Sequence, residues 1–347
     1  MQLTQFDYLL EPNGPVALVI REYLQPVAGK NSPIFPPTFA APEGSQEKPD
    51  YVIDKTAEGK SIALVDSVGS QANRLEPIFK RPPFDALVPQ IIVKIGERSV
   101  NLLDAGHRLA DAVVRLSSAA PKINEAFITY ERTRNAAHLA RLNPTAIVFG
   151  VWDSRGTQVK LPRLVSSLIR ATDVDKLTRS AQYFALLEKE EALQIDSDQK
   201  YLSNQGFSDA PSGRGPGGIL VRGEILREAV LNLIPLRALA ADTSDNTVKL
   251  QRYILGLSLI AFLAPAEYYL RQGCLLTADP ERPSEPQAVN RKGQREPFSF
   301  DETIALDYAR LAAAEFGVGE SFTAEFTIES AKQAKKEADE KKKKEKK

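Results

Sequence analysis

Lys160, Arg163, Ser167 and Arg170 recur at intervals of three or four residues, and Leu161, Leu164, Val165, Leu168 and Ile169 between them follow an i, i+3, i+4, i+7, i+8 pattern. That spacing predicts an amphipathic helix over residues 161–170, with Pro162 tolerated in its first turn and the cations on the side away from the core. A cationic strip anchored to an apolar layer can track a sugar-phosphate chain without reading its bases. The same spacing also suits an ordinary solvated helix face. Just upstream, Trp152-Asp153-Ser154-Arg155-Gly156 places a cation and an aromatic ring on a loop, where Arg155 could meet a phosphate and Trp152 could stack a base or join the core.

A second candidate runs from Asp66 to Glu76. A short apolar run ends at Asp66, and Ser67, Ser70, Gln71, Asn73 and Arg74 follow it, so a strand meets a helix N-terminus lined with hydroxyl, amide and guanidinium groups. Free N–H groups at such a terminus suit a phosphate oxygen, although Ser67 or Ser70 could equally serve as the helix cap. The segment lacks the Gly-Lys-Ser/Thr ending of a phosphate-binding loop, so nucleotide hydrolysis is not supported.

Gly213-Arg214-Gly215-Pro216-Gly217-Gly218 satisfies G-x-G-x-x-G in form only, because it follows a polar stretch and leads into Ile219-Leu220-Val221, whereas a dinucleotide site follows a strand and opens a helix. It is expected to be a loop whose Gly217 and Gly218 let the backbone approach a ligand, or a plain connector. Catalytic groupings are thin. The two histidines, His107 and His138, have no second donor at ligand spacing, and Cys274, the one cysteine, excludes an intrachain disulfide and any multi-cysteine metal site. Asp66 and Asp153 are the carboxylates that a metal-dependent nuclease would have to use. The preferred expectation is a protein without catalysis, cofactor or metal.

The elements that must position these groups form an α+β chain. Residues 16–24, 61–65, 90–95, 146–152 and 219–225 read as strands, and residues 104–116, 131–142, 248–269 and 302–315 as helices. Six prolines between Pro26 and Pro49 mark a long excursion from the core. Charge is uneven although the chain as a whole is neutral: residues 71–170 carry 15 Lys and Arg against 8 Asp and Glu, and residues 331–347 carry 9 Lys against 4 acids. A polyanion would be drawn to the first region; the second is expected to be a Lys-rich disordered tail. Apolar runs are too short to span a bilayer, and no signal peptide is read at the N-terminus, which points to the cytoplasm.

The run from Ser61 to Glu76, the run from Phe149 to Val174 with its Trp152-Asp153-Ser154-Arg155-Gly156-Thr157 and Lys160-Leu161-Pro162-Arg163-Leu164, the stretch Leu102 to Arg108, and Gly217-Gly218 before a strand together resemble the guide-RNA-coating backbone subunit of type I-G (formerly I-U) CRISPR Cascade-like complexes. The resemblance covers most of residues 1–330. It implies a RAMP-superfamily fold, a modified RRM or ferredoxin-like sheet with helices on one face. Finger and thumb insertions are expected near residues 26–60, 76–145 and 185–218. It implies that copies of the chain line up as a filament on crRNA, that target DNA pairs with that RNA, and that a large subunit and a second RAMP subunit complete the complex. The aromatic RRM signature is absent from the central strands. The type III relatives cut RNA with a loop aspartate that has no match here, and type I backbones are not nucleases.

Overall fold

The computed structural model describes residues 2–187, 189–264, 267–299, 301–329, 331–332 and 336; most of the Lys-rich tail thus lies outside the described residues. The elements used below are β1 (Ala17–Pro26), β2 (Ser61–Asp66), α1 (Val68–Leu75), α2 (Ala120–Thr133), α3 (Ala137–Leu142), β3 (Val165–Thr172), β4 (Val174–Tyr183), β5 (Ala210–Val221), β6 (Ile225–Asn232), α4 (Ser244–Leu263), β7 (Cys274–Ala278) and α5 (Glu302–Phe316).

An antiparallel sheet holds β7, β1, β6, β3 and β2 in that spatial order, with Ile53–Lys55 beyond β2 and Tyr269–Arg271 beyond β7. Chain and space therefore disagree: β1 pairs with β6, which pairs with β3, while the mostly helical segment between residues 68 and 148, which also carries the paired strands Ile91–Ile95 and Arg98–Asn101, links β1 and β2 to β3. This is an α+β fold, as expected. Alternation decides the faces. Leu18, Ile20, Glu22 and Leu24 of β1 lie opposite Leu231, Ala229, Arg227 and Ile225 of β6, and Val165, Ser167, Ile169 and Ala171 of β3 continue the same face.

Helix α4 covers that face. It lies against β6 and β3 and is buried along almost its entire second half, and Gly256 allows α5 to come close: a Cβ there would sit 2.8 Å from the Ala309 Cα. Two apolar clusters result. Leu18, Ile20, Val165, Ala229 and Leu231 belong to one with the helices, whereas Leu24, Ala63, Val65, Ala171 and Ile225 belong to another. Charged and polar side chains separate them, and these form the candidate site.

Residues 161–170 depart most clearly from the helix that their spacing predicts. No helix forms there. Lys160–Leu161 makes a short strand against Val151–Trp152, and β3 begins at Val165. The apolar residues satisfy both a helical and a strand template, but β6 and β2 flank this segment on either side and offer it backbone partners. Tertiary pairing therefore overrides the local period. The strand predicted at 146–152 is a short helix, Thr145–Val148, before a two-residue strand. The helix predicted over 104–116 breaks into the turns Arg108–Ala110 and Ala112–Arg115, and the one predicted over 131–142 is instead α2 and α3, with a break at Arg134 in left-handed conformation (φ 60°).

The glycine-rich segment is not a loop but strand β5, which pairs with β4 from Val174 opposite Val221 to Tyr183 opposite Ala210. The hairpin extends about 30 Å at ~3.3 Å per residue. Between its strands lie two short helices, Lys189–Ile195 and Gln199–Asn204. Gly217 and Gly218 together face Leu177 at a register shift, forming a bulge.

Candidate nucleic-acid interface

Helix α1 begins where predicted. Ser67 is its cap, its hydroxyl accepting the Ser70 N–H at 3.2 Å, so the Ser70 amide is used within the helix. Gln71, Ala72 and Leu75 turn inward, leaving Asn73 and Arg74 outward.

Asp66, at the end of β2, has no exposed surface, and cations and an amide surround its carboxylate. One oxygen accepts from Gln71 Nε2 at 2.6 Å and Arg74 Nε at 3.1 Å; the other accepts from Arg271 Nη2 at 3.3 Å. Arg74 also donates to the Leu270 carbonyl, and Arg271 to the Val65 carbonyl at 3.1 Å. A row of polar contacts continues across the sheet. Ser167 donates to Gln71 Oε1 at 2.8 Å and accepts from Arg227 Nε at 3.0 Å; Arg227 Nη1 then reaches Glu22 at 3.0 Å, and Tyr268 donates to the same carboxylate. Each buried charge is paired, as its removal from water demands.

Three guanidinium groups thus meet two carboxylates. Above them opens a cleft of about 410 Å³, lined by Gln71, Asn73, Arg74, Arg81, Tyr268 and Tyr269, by the apolar side chains of Leu75, Pro77, Ile78 and Ala264, and by one carboxylate, Glu267. Arg81 is exposed, and Tyr269 is 61% exposed. Burial pushes the neighbouring Cys274 thiol up to about 11, so it stays protonated and inert near neutrality. Burial likewise raises the Tyr268 phenol well above its ordinary value, which keeps it a hydrogen-bond donor. A cleft with a fixed cation, Arg74, a second exposed one, Arg81, and the exposed Tyr269 ring can take a phosphate and a base side by side.

The other candidate residues divide. Trp152 is not core: it is 56% exposed on the short hairpin, with the Lys160 ammonium 5.4 Å from its ring centroid, and Arg155 is exposed on the turn between them. Arg163 follows this hairpin at the surface. Ser167 joins the buried row instead of a surface strip. Arg170 projects from the opposite, open face of the sheet, level with Leu64 and Leu226, and so belongs to neither the cleft nor the hairpin. The proposed strip of Lys160, Arg163, Ser167 and Arg170 therefore does not exist, because strand geometry sends Ser167 and Arg170 to opposite faces.

Gly217 and Gly218 do not form an open ligand loop. A Cβ at Gly217 would lie 2.3 Å from the Thr178 backbone, and Gly218, at φ 105°, donates its N–H to the Tyr51 hydroxyl at 2.9 Å. Asp153 is likewise structural: its Oδ2 accepts the Thr157 N–H at 2.7 Å and hydroxyl at 3.0 Å, closing its own turn.

Glu22, Arg81, Arg227, Tyr268, Tyr269 and Arg271 were missed by the sequence reading. A signal existed for two of them, since Glu22 and Arg227 occupy core-facing alternate positions in otherwise apolar strands.

The fold and cleft define an α+β protein with a basic, partly aromatic groove fed by a buried polar row. Residues 18–176 match the model of a family described as CRISPR-associated protein GSU0053, a span that includes β1, α1, the Trp152 hairpin and β3. Over that part the chain is similar to a CRISPR-associated family, which connects it with CRISPR defence. No curated protein matches it. No helix among the described residues is long and apolar enough to cross a membrane.

Proposed function

We propose that this chain is a non-catalytic guide-RNA-binding subunit of a CRISPR complex, holding crRNA by its backbone and leaving the bases to pair with target DNA. The observation that carries the reading is the α1 cleft, where Asp66, also paired with Arg271 behind it, fixes Arg74 beside Asn73, Arg81 and Tyr269. Cations held in place by a buried carboxylate recognise phosphates without sequence preference, which is what a subunit repeated along a variable guide requires.

The spatial order β7-β1-β6-β3, with helical connections between β1 and β3 and between β6 and β7, supports a ferredoxin-like reading of the sheet. In that reading the β4–β5 hairpin is the thumb and copies of the chain stack along one RNA, joined by a large subunit and a second RAMP subunit of type I-G character. The Asp66 carboxylate, already engaged by two arginines and Gln71, favours a binding role over a nuclease role.

Purification of the full chain from cells carrying a CRISPR array, followed by extraction and sequencing of bound nucleic acid, tests this. Repeat-derived RNA of discrete length is the expected result. A preparation free of nucleic acid that also fails to bind added repeat RNA at low salt would overturn it.

A further inference from the structure

Between the cleft and the Trp152 hairpin lies a buried ion pair that touches neither exposed surface. Glu76 opens the turn that follows α1, and Arg108 opens the turn Arg108–Ala110. Their side chains are 1% and 5% exposed, with Arg108 Nε 2.7 Å from Glu76 Oε2. The second Glu76 oxygen accepts the Thr145 hydroxyl at 2.6 Å. Arg108 Nη1 donates to the Gly150 carbonyl at 3.2 Å, and its guanidinium lies 5.4 Å from the centre of the Phe149 ring.

The pair joins candidate RNA-binding elements, since Glu76 directly follows α1 and Arg108 is bonded to Gly150 at the base of the hairpin. Gly150, at the base of the hairpin, packs so tightly on Arg163 that a Cβ would fall 2.8 Å from the Arg163 Cγ. Gly106, two residues before Arg108, faces α1: a Cβ there would lie 3.5 Å from the Asn73 amide nitrogen. A buried ion pair adds little net stability, because desolvation offsets the attraction, but it demands one geometry.

We propose that Glu76 and Arg108 are positioning residues that lock the Trp152 hairpin to α1, so that Asn73 and Arg74 on one side and Trp152, Lys160 and Arg163 on the other engage the same nucleic-acid strand. The inference rests on the guide-RNA reading of the cleft. The lock is sensitive to pH. Burial pushes the Glu76 carboxyl up to about 7; Arg108 and the Thr145 hydroxyl oppose that rise, and Asp104, itself paired with Lys80, adds to it. Arg163 faces Arg108 from the loop after the hairpin and repels it. When Glu76 takes a proton, Arg108 loses its counter-charge while Arg163 remains, and the hairpin base is released.

Trp152 is the one tryptophan of the chain, so its fluorescence reports the hairpin directly. In RNA-free protein the emission should change with a midpoint near pH 7, and affinity for a labelled repeat-spacer RNA should fall several-fold from pH 8 to pH 6. Glu76→Gln should flatten both profiles, bind about tenfold more weakly at pH 8, as misplaced contacts do, and have a thermal midpoint close to wild type at pH 5.5 and no lower than wild type at pH 8. A folded Glu76→Gln protein with wild-type affinity and an unaltered pH profile overturns the proposal. If Glu76→Gln does not fold, the double variant Glu76→Leu/Arg108→Met fills a similar volume without charge; a flat Trp152 profile with weakened RNA binding supports the lock, and wild-type affinity overturns it. Should the wild type bind no RNA, the guide-RNA reading fails separately, and the Trp152 titration still decides whether the pair holds the hairpin.

Discussion

The Ser167 hydroxyl donates to the Gln71 carboxamide oxygen at 2.8 Å and so ties β3 to α1 through the buried polar row that splits the core. The same hydroxyl accepts from Arg227. Ser167→Ala leaves one buried acceptor and one buried donor without a partner, which should lower stability by about 2 kcal/mol in urea unfolding. A loss below a few tenths would show that the row is plastic.

Arg74 and Arg170 separate the cleft from the open sheet face. Arg74→Glu should weaken RNA binding at least ~tenfold and flatten its dependence on salt, because a phosphate contact and its released counterion are lost. Arg170→Glu, on the other face, should leave both within error in the same fluorescence-anisotropy titrations. Equal losses from the two variants would place the RNA elsewhere.

Asp66→Asn removes the charge that Arg74 and Arg271 share. Breaking a buried pair by taking one partner away destabilises by about 3 kcal/mol, so the thermal midpoint should drop clearly. RNA binding should weaken even under conditions where the variant is fully folded, since the arginines lose their fixed orientation. If the variant instead loses a metal-dependent cleavage activity that the wild type shows, the chain is a nuclease.

Gly217→Ala would push a methyl group into the Thr178 backbone at the hairpin bulge. The strain should appear as faster amide exchange confined to β4 and β5, with α1 and α4 protected as before. Uniform loss of protection would mean that the hairpin and core unfold together.

The Glu76 carboxyl ionises near 4.5 in an unfolded chain and about 7 in the folded one, so between those values the folded protein holds a proton that the unfolded chain has released. Its contribution to stability is full below about 4.5 and is lost as pH rises through 7. Carboxyls such as Asp50, held low by its Lys176 hydrogen bond, and Asp301, held low by the Thr303 N–H, act oppositely and only in more acidic solution. The thermal midpoint should therefore be lower at pH 8 than at pH 5.5, and Glu76→Gln should abolish that difference.

Several elements are legible in the residue pattern alone. The β-branched and aliphatic run from Val16 to Leu24, the helix start after Asp66 with Ser67 or Ser70 as its cap, the apolar helix after Val248 and the helix from Glu302 all stand within a few residues of where propensity and capping put them. Each is specified locally, by a period, a cap or an unbroken apolar run. Residues 161–170 are not, because Leu161, Leu164, Val165, Leu168 and Ile169 satisfy a helix while Val165, Ile169 and Ala171 satisfy a strand. The glycines of β5 mislead for a related reason: a bulge opposite Leu177 depends on a partner strand more than thirty residues away in the chain.

By itself, then, the chain's order of residues determined an α+β class, an uneven spread of cations and a polar helix start at Ser67. Tertiary structure alone decided which cations share a surface. It sent Ser167 inward and Arg170 outward, and it brought Arg271, Tyr268 and Tyr269 from some two hundred residues away to Arg74. Side-chain direction within one strand follows from a pleat, but proximity between strands follows from which backbone edges pair, and no local pattern encodes that choice.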